Sequence, residues 1–265
     1  NLFKELPFGK LRQHLQELGE WWSVGEKELE WLNKNSVVLL TPTHKDYPRE
    51  LLQIKYPPMA LCVQGATQNL CAGGLAVVGS RDPGSWSVEW LENELPQFLQ
   101  KRSVTILSGG ARGIDQLAHK ICVSRRMKTW AFLPSGFYRV YPENFSYWLP
   151  RILDYGGVVV SQFSPFQQLF KFHFHLRNEL MAVLAKGVFV VEAKERSGSM
   201  LTAKMALRHN KDLATLPCCP NLSSGRGNLS LVFDGAQPLR DHRDLVSFWD
   251  MISGAHSVNL LESKS

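Results

Sequence analysis

Short apolar runs alternate with amphipathic segments of helical length from Leu75 onward, and this alternation most limits the possible folds. The runs that we expect to be strands cover residues 75–78, 104–107, 129–133, 158–161, 188–192 and 213–216. The segments that we expect to be helices cover residues 88–101, 115–125, 145–153, 177–185 and 201–208. Because parallel strands need crossover connections, the pattern predicts an α/β fold: an extended Rossmann-like parallel sheet with helices on both faces.

The 265 residues suit one extended domain with a small appendage. Residues 1–35 are predicted to form a short helical unit, because leucines recur there at helical spacing among charged residues. Residues 36–240 then form the main domain, which begins with an apolar run at 37–40 and a proline-rich stretch. We expect residues 241–265 to be a tail or a lone helix, with no winged-helix domain.

Charge and cysteine content restrict the partners and the compartment. The net charge of +6 and the pI near 9.1 favour a polyanionic partner. Residues 165–215 hold eight Lys/Arg against four acids, and thus +4 of that net charge. Five cysteines with no C-x-x-C pair favour reduced thiols in the cytoplasm. No apolar run is long enough to span a bilayer.

Three loops with small residues follow predicted strands, where ligands bind in doubly wound sheets. The first, at residues 79–84, offers the Ser80 hydroxyl and the planar guanidinium of Arg81. The second, at 108–115, contains Gly109, Gly110 and Arg112, and the amides that begin its helix could hold an anion. It matches neither the dinucleotide G-x-G-x-x-G pattern nor a P-loop, so no nucleotide cofactor is predicted.

The third loop, at 196–202, places Ser197 and Gly198 before a helix, where a serine could also serve only as a cap. Residues 171–178 interleave cations with aromatic rings, which is the combination that single-stranded nucleic acid requires. If this segment were extended, Phe172 and Phe174 would lie on one side and Lys171, His173 and His175 on the other. The alternative is that both rings are core and the histidines are surface. A metal site from the two histidines is not expected.

Taken in order, these motifs resemble those of the DNA-processing protein A (DprA/Smf) family. The matching motifs run from Asp46-Tyr47-Pro48 to Gly235-Ala236. Between them lie Val78-Gly79-Ser80-Arg81, the 108–115 loop, Tyr141-Pro142-Glu143-Asn144, Phe172-His173-Phe174 with Arg177-Asn178, and Ser197-Gly198-Ser199. The resemblance implies a dimer that binds single-stranded DNA without catalysis and helps to load the RecA recombinase during natural transformation. It also implies that residues 1–35 are a reduced sterile-alpha-motif-like domain.

By the same resemblance, Arg81 and Lys171 would meet phosphates, Phe174 would contact a base, and Arg177 and Asn178 would shape the pocket. The predicted DNA-binding set is Ser80, Arg81, Gly109, Gly110, Arg112, Lys171, Phe174, Arg177, Asn178, Ser197 and Gly198.

Four positions depart from the family pattern: His175, Glu179, Gln162 and Cys218. Glu179 replaces an arginine, so we expect an additional anion near the pocket and weaker binding.

Two other functions use the same fold. A phosphoribohydrolase of the LOG type needs a carboxylate in the third loop as general acid and base, whereas Ala203, Lys204 and Met205 follow that loop here. A sensor that binds a free nucleotide in the same pocket is the other alternative. The sequence therefore favours a DNA-binding protein that is not an enzyme.

Overall fold

The computed structural model describes residues 23–254, in which nine strands form one sheet. The strands are β1 (Val37–Leu40), β2 (Leu61–Gly65), β3 (Gly74–Val78), β4 (Ile106–Ser108), β5 (Thr129–Phe132), β6 (Val158–Ser161), β7 (Ala185–Val190), β8 (Asp212–Thr215) and β9 (Gln237–Pro238). Residues 23–34 form helix α1. The further helices are α2 (Ser85–Lys101), α3 (Ile114–Ser124), α4 (Leu149–Asp154), α5 (His173–Leu184), α6 (Gly198–Arg208), α7 (Arg226–Phe233) and α8 (His242–Ser253).

The sheet order is β1-β2-β6-β5-β4-β3-β7-β8-β9, with all pairs from β6 to β9 parallel. From β3 the chain builds outward through β4, β5 and β6, then returns to the other side of β3 with β7. The strand order therefore reverses at β3, which has β4 on one side and β7 on the other. In doubly wound sheets ligands bind at such a switch point, outside the carboxyl ends of the strands.

The core has two main layers, one on each face of the sheet, because successive residues of a strand point to opposite faces. In β3, Ala76 and Val78 pack with α5 and α6, whereas Leu75 and Val77 pack with α2, α3 and α8. A third apolar group lies around α4 and β6. No helix among residues 23–254 is long and apolar enough to cross a membrane.

The predicted α/β class and all six predicted strands are confirmed, with differences at the element ends. The sheet is not wholly parallel, because β1 and β2 add an antiparallel edge beyond β6. The predicted helix at 145–153 is divided into a 3-10 turn, Glu143–Trp148, and the short α4. The helix predicted from residue 177 begins earlier, at His173.

The predicted segments at the two ends of the chain can be compared with the structure only in part. Residues 242–253, which the sequence assigned to a tail or a lone helix, form α8, and this helix buries Leu245 and Phe248 in the core with α2. Arg102 at the end of α2 also forms an ion pair with Asp250 of α8, at 2.6 Å. Most of the predicted N-terminal unit, residues 1–22, lies outside the described residues, as do residues 255–265.

Candidate functional site

The three loops that the sequence singled out meet at the switch point and surround one cavity. This cavity has a volume of about 580 Å³ and lies at the carboxyl ends of β3 and β7. Eight of the predicted residues line it: Ser80, Arg81, Lys171, Phe174, Arg177, Asn178, Ser197 and Gly198. We call this space the main cavity.

A smaller cavity of about 290 Å³ adjoins the main cavity and shares Arg81, Phe174 and Arg177 with it. Two more predicted residues, Gly109 and Arg112, line this side cavity. Gly110 lines neither cavity, and its role in DNA binding stays a prediction. Its backbone is in the left-handed region, and it lies against the ring of Phe145, whose side chain is fully buried.

Hydrogen bonds between the loops fix the floor of the main cavity. The Ser199 hydroxyl donates to the Gly79 carbonyl oxygen at 2.8 Å, which joins the third loop to the first. The Ile114 N–H donates to the Ser80 carbonyl oxygen at 3.1 Å, which joins the second loop to the first. Gly113 allows that approach, because it has a φ of +84° and a side chain there would meet the Ser80 oxygen. The three loops are therefore held together by their own hydrogen bonds.

A buried acid and a buried base lie beneath the loops. The Arg177 guanidinium donates to the Phe132 carbonyl oxygen at 3.1 Å and packs on Gly109, where any side chain would collide with it. Burial lowers the pKa of Arg177 and raises that of Asp115, while the attraction between the two charges opposes both shifts. Burial is the larger influence on both groups, and each charge partly offsets it for the other. Arg177 shapes the pocket from below rather than reaching into solvent.

The anion site that the sequence predicted at the second loop is already filled. The Asp115 carboxylate accepts the Ala111 N–H at 3.4 Å, and the N–H groups of Gly109 and Gly79 also stabilise its charged form. The start of α6 is different. Ser197 caps it by accepting the Met200 N–H at 3.4 Å, while the space around Gly198 is open. The first amides of a helix lack partners within the helix, so α6 is the better place for an anion.

The cation-and-aromatic segment is not extended, so the predicted alternation of its side chains is wrong. Residues from His173 onward are helical. His173 is buried and stacks on Phe163 at 4.0 Å, and burial lowers its pKa. Phe172 is exposed and lines neither cavity, whereas Phe174 is half-buried at the wall that both cavities share. The alternative with two core rings and two surface histidines is therefore also wrong.

Phe174 and Arg81 lie side by side in the site. The Arg81 guanidinium lies 5.6 Å from the centre of the Phe174 ring, and Tyr141 contacts the same ring edge-on at 5.6 Å. Arg81, Lys171 and the unpredicted Lys194 are exposed and form no ion pair among the described residues. Three cations thus face an open cavity beside an aromatic ring.

Other charges that the sequence assigned to the site are used elsewhere. Arg112 forms an ion pair with Asp82 at 2.6 Å. Glu179 contacts His209, the residue that follows α6, at 3.4 Å and lines neither cavity, so the anion expected near the pocket is turned away from it. Lys186 and Lys211 line a small cavity at the amino ends of β3, β7 and β8, at the end of these strands opposite to the main cavity. The basic stretch at 165–215 is therefore only partly at the site.

The other departures from the family pattern have distinct surroundings. His175 lines the main cavity, whereas the Gln162 amide nitrogen is buried without a hydrogen-bond partner in the part of the chain that the structure describes. The Cys218 thiol lies 2.8 Å from the Gly225 carbonyl oxygen, and the five cysteines are free.

Sequence reasoning missed Lys194, Asp115, Thr202 and Tyr141 as lining residues. Their closeness in sequence to the three loops and to the tyrosine-proline motif was the available signal. Among the described residues, no group of three or more His, Cys, Asp or Glu could hold a metal ion.

Comparison with known proteins gives consistent matches. A family model described as DNA recombination-mediator protein A matches residues 38–250. Protein Smf of Escherichia coli is 37% identical over 192 residues, covering 72% of this chain and 51% of that protein. Protein Smf of Synechocystis is 32% identical over 212 residues, covering 78% and 53%. The chain thus spans about half the length of these two curated relatives.

Solved structures agree with the sequence matches. The X-ray structure of DNA processing protein A from Streptococcus pneumoniae has a TM-score of 0.71 and 30% identity, covering 80% of this chain and 74% of that one. DNA processing protein A from Helicobacter pylori has a TM-score of 0.68 and 27% identity, covering 79% and 94%. The latter structure concerns the single-stranded DNA binding mode of that protein.

Proposed function

Because the chain belongs to the DNA recombination-mediator protein A family, we propose that its main cavity binds single-stranded DNA and holds it without cleaving it. The observation that carries this proposal is the placement of three cations, Arg81, Lys171 and Lys194, around one cavity beside the Phe174 ring, with no ion pair to any of them within residues 23–254. Cations that follow phosphates and a ring that stacks on a base are the two elements of single-strand recognition. The similarity to a Helicobacter pylori protein with a single-stranded DNA binding mode supports the same function.

Each group has a distinct part in this proposal. Phosphates lie near the open start of α6 at Ser197 and Gly198, where amides without helical partners add to the charge of Lys194 and Lys171. Arg81 meets a further phosphate and, through its contact with Phe174, holds that ring in place. Asn178 and Arg177 shape the inner wall.

The absence of catalysis is also part of the proposal. In α6 the residues after Thr202 are Ala203, Lys204 and Met205, none of which carries the carboxylate that LOG-type hydrolysis needs there as general acid and base. The buried Asp115 is already bonded to loop amides. We therefore expect no hydrolysis of ATP, AMP or DNA. Product that forms with purified protein and disappears in Ser197→Ala would refute this expectation.

We also propose that the bound strand is delivered to the RecA recombinase by a homodimer. This step follows from the family resemblance and from the need for a long-lived complex, since one pocket makes few contacts. Competition between a mononucleotide and an oligonucleotide separates this function from that of a nucleotide sensor. A sensor would bind the mononucleotide at least as tightly as the strand.

Fluorescence anisotropy with single-stranded and blunt duplex oligonucleotides, at several salt concentrations, tests the main proposal. Single strands should bind more tightly, and affinity should fall as salt rises, because each phosphate contact releases counterions. Lys101→Ala is a suitable control. Lys101 is exposed at the end of α2, near the start of β4, whereas the main cavity lies where the strands end. Equal affinity for the blunt duplex would refute the proposal.

A further inference from the structure

A group of exposed aromatic side chains continues from the candidate site onto the neighbouring surface. Tyr138, Tyr141 and Phe166 are 57%, 43% and 45% exposed. Together with Arg139 they line a cavity of about 700 Å³ that is distinct from the main and side cavities. We call these four residues the aromatic shelf. Single exposed rings are common on protein surfaces, but a contiguous group marks a binding surface.

The aromatic shelf is continuous with the site through Tyr141. This residue lines both the shelf cavity and the side cavity. Its ring contacts Phe174 edge-on at 5.6 Å. Beyond it, the rings of Tyr138 and Phe166 lie with their centres 5.0 Å apart. Tyr141 therefore links the ring of the proposed base contact, Phe174, to the cavity that Tyr138 and Phe166 line.

The outer rings of the shelf are held in place. Trp31 of α1 contacts Tyr138 edge-on at 6.4 Å and Phe166 at 5.9 Å. The Tyr138 N–H donates to the Pro165 carbonyl oxygen at 3.1 Å, which joins the two segments that carry these rings. Rings that are already ordered lose little conformational entropy when a ligand stacks on them.

We propose that the aromatic shelf is a second stacking subsite for the strand that the main cavity holds, with bases on Tyr138 and Phe166 and a phosphate at Arg139. The inference rests on the proposed function. Arg139 is exposed and forms no ion pair within residues 23–254. Rings beside an unpaired cation fit a single strand better than a purely apolar partner, and every base has a face that can stack.

Strand length provides the test. We compare wild type, the double variant Tyr138→Ala/Phe166→Ala and the control Tyr147→Ala with single strands of about four and about twelve nucleotides. Tyr147 matches Tyr138 in exposure, at 57%, and lines neither the shelf nor the site. The double variant should lose about tenfold in affinity for the long strand, which is within the range for a stacked base, and nothing for the short strand. The control should bind both strands like wild type.

A fluorescent base placed at each position of the long strand gives an independent measurement. In wild type, 2-aminopurine should be quenched by stacking both at the main cavity and at positions beyond it. The double variant should lose only the outer quenching. Outer quenching that persists in the double variant would overturn the inference.

The remaining outcomes separate the two proposals. If wild type binds neither strand, the proposed function fails and the inference fails with it. If wild type binds both strands and the double variant matches it on the long one, only the inference fails. An equal loss for both strands, together with a lower unfolding midpoint, would show that Tyr138 and Phe166 support the fold of the site, which also overturns the inference.

Discussion

Two neighbouring side chains of the main cavity should contribute to binding in different ways. Lys171 is exposed and free to meet a phosphate, whereas Phe174 is a half-buried ring beside Arg81. Lys171→Ala should weaken binding of all sequences and reduce the slope of log affinity against log salt by about one. Phe174→Ala should cost about 1–3 kcal/mol with little change in that slope. Salt titrations of both variants check this, and a silent Phe174→Ala would contradict the stacking role.

Substitution by alanine should affect the stability of the protein differently at two glycines of the site. A methyl group at Gly109 would overlap the Arg177 guanidinium, whereas one at Gly198 would meet nothing within 4 Å. Gly109→Ala should therefore lower the free energy of unfolding by about 1–3 kcal/mol, as overpacking does. Gly198→Ala is the matched control and should leave stability nearly unchanged. Urea denaturation compares them, and equal stability of the two variants would contradict the close packing at Gly109.

At the level of elements, α3 is joined to β5 by a buried histidine. His119 Nδ1 lies 2.8 Å from Thr129 Oγ1, and the Thr129 hydroxyl donates to the Ile106 carbonyl oxygen at 2.8 Å. The threonine oxygen therefore accepts, and Nδ1 carries the proton. Burial lowers the pKa of His119 to about 3.

This histidine should make the protein less stable in acid. The unfolded chain protonates His119 below its ordinary pKa of about 6.5, whereas the folded protein does not until about pH 3. The folded state thus binds fewer protons in that range, so the free energy of unfolding should fall as the pH falls through it, by up to about 1.4 kcal/mol per unit. His119→Gln should flatten this dependence in urea denaturation at a series of pH values. If the pH dependence of the free energy of unfolding were unchanged in His119→Gln, groups other than His119 would cause the loss of stability in acid.

Helix α8 should contribute to the stability of the main domain. Phe248 is fully buried against α2 and the sheet, whereas Met251 on the same helix is 53% exposed. Phe248→Ala should lower the free energy of unfolding by about 3–5 kcal/mol, which is typical for a phenylalanine removed from a core. Met251→Ala should have little effect. If both variants lost only a small and similar part of the free energy of unfolding, α8 would not contribute to the stability of the main domain.

At the level of the whole molecule, we expect the working unit to be a homodimer in which two pockets grip one strand. Non-specific contacts in a single pocket typically give dissociation constants of about 10⁻⁴ to 10⁻⁶ M. A second pocket held by a symmetric interface makes the second contact intramolecular, which can raise the affinity by roughly 10² or more. Light scattering at micromolar protein, with oligonucleotides of increasing length, measures both properties. A strict monomer, or affinity that does not rise with length, would exclude this mechanism.

The sequence by itself determined the α/β class, the six inner strands and the loops that form the site. The periodicities of strands and helices are local properties of the sequence. Loops that follow parallel strands lie together at the carboxyl ends of those strands. For that reason Ser80, Arg81, Lys171 and Ser197 could be placed in one site before their distances were known.

Only the tertiary structure decided which of these groups are free to act. The sequence placed three charges near the pocket without distinguishing them. In the structure Arg177 is buried, Arg112 is paired with Asp82, and Glu179 contacts His209. The anion site at the second loop was already filled by Asp115. Desolvation and pairing depend on neighbours that are distant in the chain, such as Phe132 for Arg177. A local pattern cannot report such neighbours.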